Sequence, residues 1–163
     1  MNAPKLDRID IKILAELQKN GRISNVELAD AVGLSPSPCL TRVKRLEQSG
    51  YVSGYGAKLN LRKFGDFVTV FAQVTLQDSK ASDLARFESK VFKVDEVMEC
   101  HSVSGSHDYW IKFVSPDIEH YRATSEALIE SGIGIEKYFS YIVLRSPLEK
   151  SGAPVNRLFP RDG

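Results

Sequence analysis

Two short stretches carry side chains whose types and spacing suit chemistry. The first is "GLSPSPCLTRVKRLEQSG", Gly33 to Gly50. Read as a helix at 100° per residue, it gathers Cys39, Val43 and Leu46 on one face, with Leu40 at the margin. The opposite face carries Ser37, Pro38, Thr41, Arg45 and Gln48, flanked by Arg42 and Lys44. Small polar groups at a helix tip approach base edges closely, and flanking cations reach phosphates on either wall of a major groove. The candidate nucleic-acid contacts are therefore Ser35, Ser37, Pro38, Thr41, Arg42, Lys44 and Arg45. A basic helix face also suits docking on an acidic protein, and the residues alone leave both readings open. The second stretch, "ECHSVSGSHDYW", brings Cys100, His101, His107 and Asp108 close in sequence. Strand alternation sends Cys100 and His101 to opposite faces, so a shared metal ion is not expected. A nucleophilic cysteine needs an ordered base and an oxyanion site, and no spaced motif supplies them, so neither enzymatic activity nor a cofactor is expected.

The elements that must position the first stretch are legible from their ends. Pro36 and Pro38 fall at the first and third helical positions, where backbone N–H groups have no intrahelical acceptor and none is forfeited. Ser35 is placed as N-cap and Gly50 as the stop. Upstream, "SNVE" is a capping box with Ser24 as cap and Glu27 reaching back, followed by Leu28, Ala29 and Val32 on a buried face and Gly33 as terminator. Before that, Leu6, Ile9, Ile13, Leu14 and Leu17 form one apolar stripe of a helix ending near Asn20 and Gly21. Three helices with a short second connection make a helix-turn-helix unit.

Charge divides with position. Residues 1–62 hold ten Lys/Arg against six Asp/Glu, a net +4, whereas residues 63–163 hold twelve against fifteen, a net −3. The sign difference points to a polyanionic partner for the first part only. The 163 residues, 42% hydrophobic and 26% charged, suffice for one or two small cores. No apolar run approaches the ~20 residues that span a bilayer, and "MNAPKLDRID" lacks the apolar segment of a secretory signal, so a cytoplasmic protein without membrane contact is expected. Two widely separated cysteines suggest neither a disulfide framework nor a zinc cluster.

Past "YGAKLNLRKFGD" the period changes to alternation. "FVTVFAQVTL" places Val68, Val70, Ala72, Val74 and Leu76 on one strand face. A helix with Leu84, Phe87 and Val91 on one side follows, then strands in "EVMECHSVS" and "YWIKFV" around the turn "GSHD". The next helix is expected to start with Ser115 as cap, Pro116 in first position and Asp117 in the first turn, and to stop at Gly132; "IEKYFSYIVL" supplies a last strand. Strand, helix, strand, strand, helix, strand is the ferredoxin-like split βαβ order, with both helices on one sheet face. The other face, where Phe71, Tyr138 and Tyr141 or their strand neighbours emerge, would stay open in a monomer and calls for a second copy of the chain. The tail "SGAPVNRLFPRDG" reads as an extended arm or disordered.

The stretch Gly21 to Asn60 closely resembles the DNA-binding domain of the leucine-responsive/asparagine (Lrp/AsnC) family of bacterial transcription regulators. The features that carry it are "LDRIDIKIL" in the first helix, "LSPSPC" and "RVKRLE" in the third, and "GY" after the strand that follows. Thr41 stands where relatives often carry a second Arg. The resemblance runs from about Leu6 to Arg145 and implies an α+β protein: a winged-helix-like helix-turn-helix domain over 1–50, a strand and linker over 51–66, and a ferredoxin-like effector-binding and oligomerisation domain over 67–146, followed by the tail at 147–163. It also implies an amino-acid-responsive regulator that binds duplex DNA, dimerises through its sheet and often assembles to an octamer. "VSGSHDYWIKF" resembles the family's effector loop, which implies Gly105, Ser106, His107, Asp108 and Tyr109 as contacts. On that reading Asp108 accepts from the ammonium of a zwitterion, and backbone N–H groups near Gly105 and Ser106 take its carboxylate. Tyr138 and Ser140, in "KYFS" where relatives carry threonines, would line an aromatic pocket for a larger or flatter side chain.

Overall fold

The computed structural model describes residues 5–78, 80–150 and 152–159. The chain forms two compact units. One comprises the first 59 residues together with the segment from Leu148 onward, and the other spans Asn60–Pro147.

In the first unit, α1 (Arg8–Lys19), α2 (Asn25–Val32) and α3 (Pro36–Gln48) pack around Ile13, Leu28, Ala29, Val32, Cys39 and Leu46. Leu14, Leu17, Val43 and Tyr51 close the edges of this core. Leu40, at the margin of the wheel, is largely exposed. The helix ends follow local chemistry. Ser24 and Glu27 form the expected capping box, and Gly33 ends α2 at φ 75°, a left-handed conformation that suits glycine. After α3, Gly50 donates its N–H to the Glu47 carbonyl and Tyr51 to that of Leu46, a Schellman closure. Asp7 caps α1 in a second, reciprocal capping box with Asp10.

Three expectations about the helix-turn-helix, the linker and the tail are corrected. Ser35 occupies the cap position of α3 but makes no side-chain cap bond, because Pro38 at the third helical position has no N–H to offer. The Asn25 side-chain amide instead donates to the Pro36 carbonyl at 2.8 Å and ties the start of α3 to α2. No strand forms within 51–66 among the described residues: an extended backbone needs a ladder partner, and this part of the chain meets none, the only regular turn being a short 3-10 helix at Leu61–Lys63. The tail is not an extended arm. A one-turn helix, α6 (Val155–Leu158), packs on α1, and the Gln18 side-chain amide donates to the Ala153 carbonyl at 2.6 Å. Ser151 and residues 160–163, included in the tail expectation, lie outside the described residues.

The second unit contains β1 (Val68–Leu76), α4 (Ala81–Val91), β2 (Val97–Ser102), β3 (Tyr109–Ser115), α5 (Ile118–Glu130) and β4 (Ile135–Ile142). The sheet order is β2-β3-β1-β4 and each neighbouring pair is antiparallel, the ferredoxin-like arrangement expected. Val70, Ala72, Val74, Ile111 and Phe113 meet Phe87, Val91, Tyr121 and Leu128 in a single core layer. Ser115 is not the cap of α5. It pairs with Val68 at the end of β3, and Asp117 caps instead, accepting from the His120 N–H at 2.7 Å. Ladder pairing holds Ser115 in the strand, and the Asp117 carboxylate suits the positive helix end. Gly132, at φ 69°, follows α5 as expected.

Register decides which side chains share a face. Phe71 lies opposite Tyr141 and Gln73 opposite Phe139, so these emerge with Trp110 on the face away from the helices. Tyr138 does not join them. It lies opposite Val74, on the helix-covered face, where its hydroxyl sits 3.2 Å from that of Tyr121.

Candidate nucleic-acid interface and effector loop

α3 presents Ser37, Pro38, Thr41, Lys44, Arg45 and Gln48 to solvent. The Thr41 hydroxyl donates back to the Ser37 carbonyl at 3.1 Å, which leaves its methyl and the hydroxyl lone pairs outward. Lys44 makes no ion pair among the described residues. Both arginines, Arg42 expected at the flank and Arg45 on the open face, bond to carboxylates at the start of α1. Arg42 Nη1 donates to Asp7 Oδ2 at 2.6 Å and to Asp10 Oδ1 at 2.8 Å. Arg45 Nη2 donates to Asp10 Oδ2 at 2.5 Å. Burial raises the Asp7 carboxyl, but the Asp10 backbone N–H and the Arg42 guanidinium outweigh it and hold that carboxyl below its ordinary value. The two carboxylates in turn raise Arg42 further. Arg42 is therefore engaged within the fold and keeps 28% of its side chain exposed, while Arg45 keeps 43%. The sequence carried a signal for this that spacing arguments passed over: Asp10 interrupts the apolar stripe of α1, and a carboxylate among core residues requires cationic partners.

The loop from Val103 to Asp108 joins β2 to β3 and closes with the Val103 N–H on the Asp108 carbonyl. Gly105 takes φ 140°, a backbone conformation that side chains disfavour. Asp108 ties the loop to β1 in two ways. Its N–H donates to the Val74 carbonyl at 2.9 Å, and its Oδ2 accepts from the Leu76 N–H at 2.8 Å, where the β1–β4 register shifts. Oδ1 carries no hydrogen bond among the described residues. Ser106 is exposed, and His107 turns to the open sheet face, receiving the Gln73 amide at 3.0 Å on Nδ1 and standing edge-on to Trp110.

The seven residues expected around an effector thus separate. Gly105, Ser106, His107 and Asp108 form one accessible loop. Tyr109 is 1% exposed, stacked near Phe87 with its hydroxyl on Glu88 Oε1 at 2.8 Å, so it is a core residue of the helix-covered face. Burial and then the Glu88 carboxylate push its hydroxyl pKa well up. Tyr138 and Ser140 belong to a hydroxyl cluster under α5, with Ser140 Oγ 2.6 Å from the Tyr121 hydroxyl. The aromatic pocket expected at Tyr138 and Ser140 does not form beside the loop: alternation places the Tyr109 and Tyr138 rings in the packed layer. Tyr121, Glu88 and Gln73 went unpredicted because their roles depend on long-range pairing. Cys100 and His101 do face opposite sides, with Cys100 against the core and its thiol raised to about 11 by burial and the nearby Glu88.

Aromatic groups dominate the open sheet face. The Trp110 ring contacts those of both Phe71 and Tyr141, and a shallow groove of about 310 Å³ is lined by Phe71, His101, Trp110 and Lys112. Phe139 and Tyr141 are about half exposed. No helix among the described residues is long and apolar enough to cross a membrane.

A helix-turn-helix unit and a ferredoxin-like unit in one chain define a class of protein that carries a DNA-binding domain and a ligand-binding domain. Comparison with known proteins agrees. Residues 6–53 match the family described as winged helix-turn-helix DNA-binding, and residues 69–153 match the Lrp/AsnC ligand binding domain. The transcriptional regulatory protein DoeX of Halomonas elongata is 44% identical over 87% of this chain and 90% of its own length. The leucine-responsive regulatory protein of Escherichia coli K12 is 45% identical over 85% of each chain. Among solved structures, a transcriptional regulator of Neisseria meningitidis in complex with L-methionine superposes with a TM-score of 0.87 at 35% identity, covering 95% of this chain and all of the other. An AsnC family regulator from Agrobacterium tumefaciens gives the same TM-score at 31% identity, covering 94% of this chain and 100% of its own. The chain belongs to the Lrp/AsnC family of transcription regulators.

Proposed function

We propose that this regulator binds operator DNA through α3 as a symmetric homo-oligomer and that an amino acid or closely related metabolite, captured at the Gly105–Asp108 loop, changes that binding. The carrying observation is the solvent-facing surface of α3, where Ser37, Thr41, Lys44 and Arg45 stand on a helix whose start is stiffened by Pro36 and Pro38. Two such helices related by a twofold axis meet successive major grooves about 34 Å apart, so the operator is an imperfect palindrome. The unused Oδ1 of Asp108 beside a glycine-bearing loop offers an ammonium acceptor, and leucine and L-methionine, to which the Escherichia coli and Neisseria meningitidis relatives respond or bind, are zwitterions of this kind. The aromatic open face supports dimerisation through the sheet and further assembly to an octamer. The protein acts in the cytoplasm on genes of amino-acid metabolism or transport.

Footprinting of genomic fragments, with and without a panel of amino acids, tests the reading. Protected palindromic segments whose affinity responds to a selective amino acid support it. Absence of any protected segment at low salt overturns the DNA reading, and protection indifferent to every amino acid and related catabolite overturns the effector reading. Ligand action must run through a preference for one assembly or helix spacing over another, because a ligand with equal affinity for both states shifts nothing.

A further inference from the structure

Asp10 is the one charged residue among the buried described side chains, with no exposure to solvent. A buried carboxylate is tolerated only when paired and hydrogen-bonded. Here both oxygens are used. Oδ1 accepts from Arg42, while Oδ2 accepts from Arg45 and from the Asp7 N–H at 3.0 Å. Arg42 and Arg45 lie one turn apart on α3, so a single carboxylate on α1 fixes two points along the candidate recognition helix.

The two arginines are held differently. Arg42 is bound by both Asp7 and Asp10 and keeps 28% side-chain exposure. Arg45 gives one nitrogen to Asp10, and the remaining donors of its guanidinium fork are free among the described residues. The four formal charges of Asp7, Asp10, Arg42 and Arg45 cancel. The cluster therefore adds little to long-range attraction for a polyanion. What it supplies is orientation: the rotation of α3 about its axis and the direction of the Arg45 fork are fixed before DNA arrives, which lowers the ordering cost at the moment of binding.

We propose that Asp10 is a positioning residue for sequence discrimination: it aims Arg45 at the duplex and commits Arg42 to joining α1 and α3 rather than to a phosphate. The proposal rests on the reading of α3 as the DNA-contacting helix.

The test uses the full chain, a duplex selected by the wild-type protein from a random pool, and a shuffled duplex of equal composition. Asp10→Asn lowers the ratio of affinities for selected over shuffled DNA about tenfold, without reducing the slope of log K against log salt. Asp10→Glu keeps the charge but displaces the anchor by one methylene, and it lowers the ratio likewise; it serves alone if Asp10→Asn does not fold. Arg45→Met lowers the same ratio about tenfold and, by removing a cation from the duplex, also lowers the salt slope by about one for each bound helix. Arg42→Met lowers the melting temperature while leaving the slope at the wild-type value. A discrimination ratio unchanged in the folded Asp10 variants overturns the proposal, as does an Arg42→Met slope that falls like that of Arg45→Met. If the wild type selects no duplex, the DNA reading itself fails, an outcome separate from failure in the variants alone.

Discussion

Replacing Asp108 by Asn and by Ala separates the structural task of this carboxylate from the effector task proposed for it. Oδ2 accepts the Leu76 N–H at 2.8 Å, at a strand end where Leu76 is 5% exposed, while Oδ1 faces the loop without a partner among the described residues. Ala removes the acceptor and leaves a buried backbone donor unpaired, a loss of about 1–3 kcal/mol. Asn can keep a carbonyl oxygen on Leu76 and forfeits only the charge assistance, about 0.5–1.5 kcal/mol, since bonds to ionised acceptors are roughly twice as strong as neutral ones. At roughly 2–4 °C per kcal/mol for a chain of this size, Ala lowers the melting temperature by several degrees and Asn by fewer. The effector task responds differently. An amide in place of the free oxygen presents N–H groups to an ammonium, and losing a charged partner of this kind costs about 2 kcal/mol or more, about thirtyfold in affinity. Thermal unfolding of the three proteins, with calorimetric titration of whichever amino acid most raises the wild-type melting temperature, reads both. An Asn variant that binds this amino acid within threefold of wild type refutes the ammonium role. An Ala variant that melts with the wild type refutes the structural one.

Leu46→Ala opens a cavity under α3 at a fully buried position and destabilises the helix-turn-helix unit by about 2–5 kcal/mol, measurable as an earlier urea transition of that unit. Asp7, whose carboxyl is held low in the folded state, contributes stability that is complete above the ordinary carboxylate range and disappears as pH falls through the lowered value. A melting-temperature profile should therefore decline more steeply in acid for the wild type than for Asp7→Asn, and equal profiles would contradict the assignment. Trp110→Lys or Tyr141→Lys places a cation on the aromatic open face and shifts sedimentation toward a smaller species; an unchanged coefficient would move the subunit contact elsewhere.

Local rules carried the helix-turn-helix far. The Ser24 and Glu27 box and the glycine stops at Gly33 and Gly50 satisfy nearby backbone groups, and the prolines at the start of α3 stand where no N–H is needed, so a short window holds the whole reason for them. Alternation in β1 likewise assigned Val70, Ala72 and Val74 to the core. Residues whose role depends on pairing across the fold escaped. Tyr138 turns under α5 because β4 registers against β1 with Val74 as its neighbour, and a one-residue slip would have sent it outward. The engagement of Arg42 by α1 was hidden for the same reason, since 32 residues separate it from Asp10. Ser115 misled because the serine and the proline after it look like a helix start, whereas the ladder with Val68 claims the serine first.

The return of α6 to α1 means that the helix-turn-helix unit is assembled from segments on both sides of the ferredoxin-like unit in sequence. During translation its α1 surface waits for that cover until the ferredoxin-like unit has already emerged from the ribosome. Excising residues 1–59 as an independent binding module would leave Gln18 without its Ala153 partner and bare the α1 flank that α6 covers.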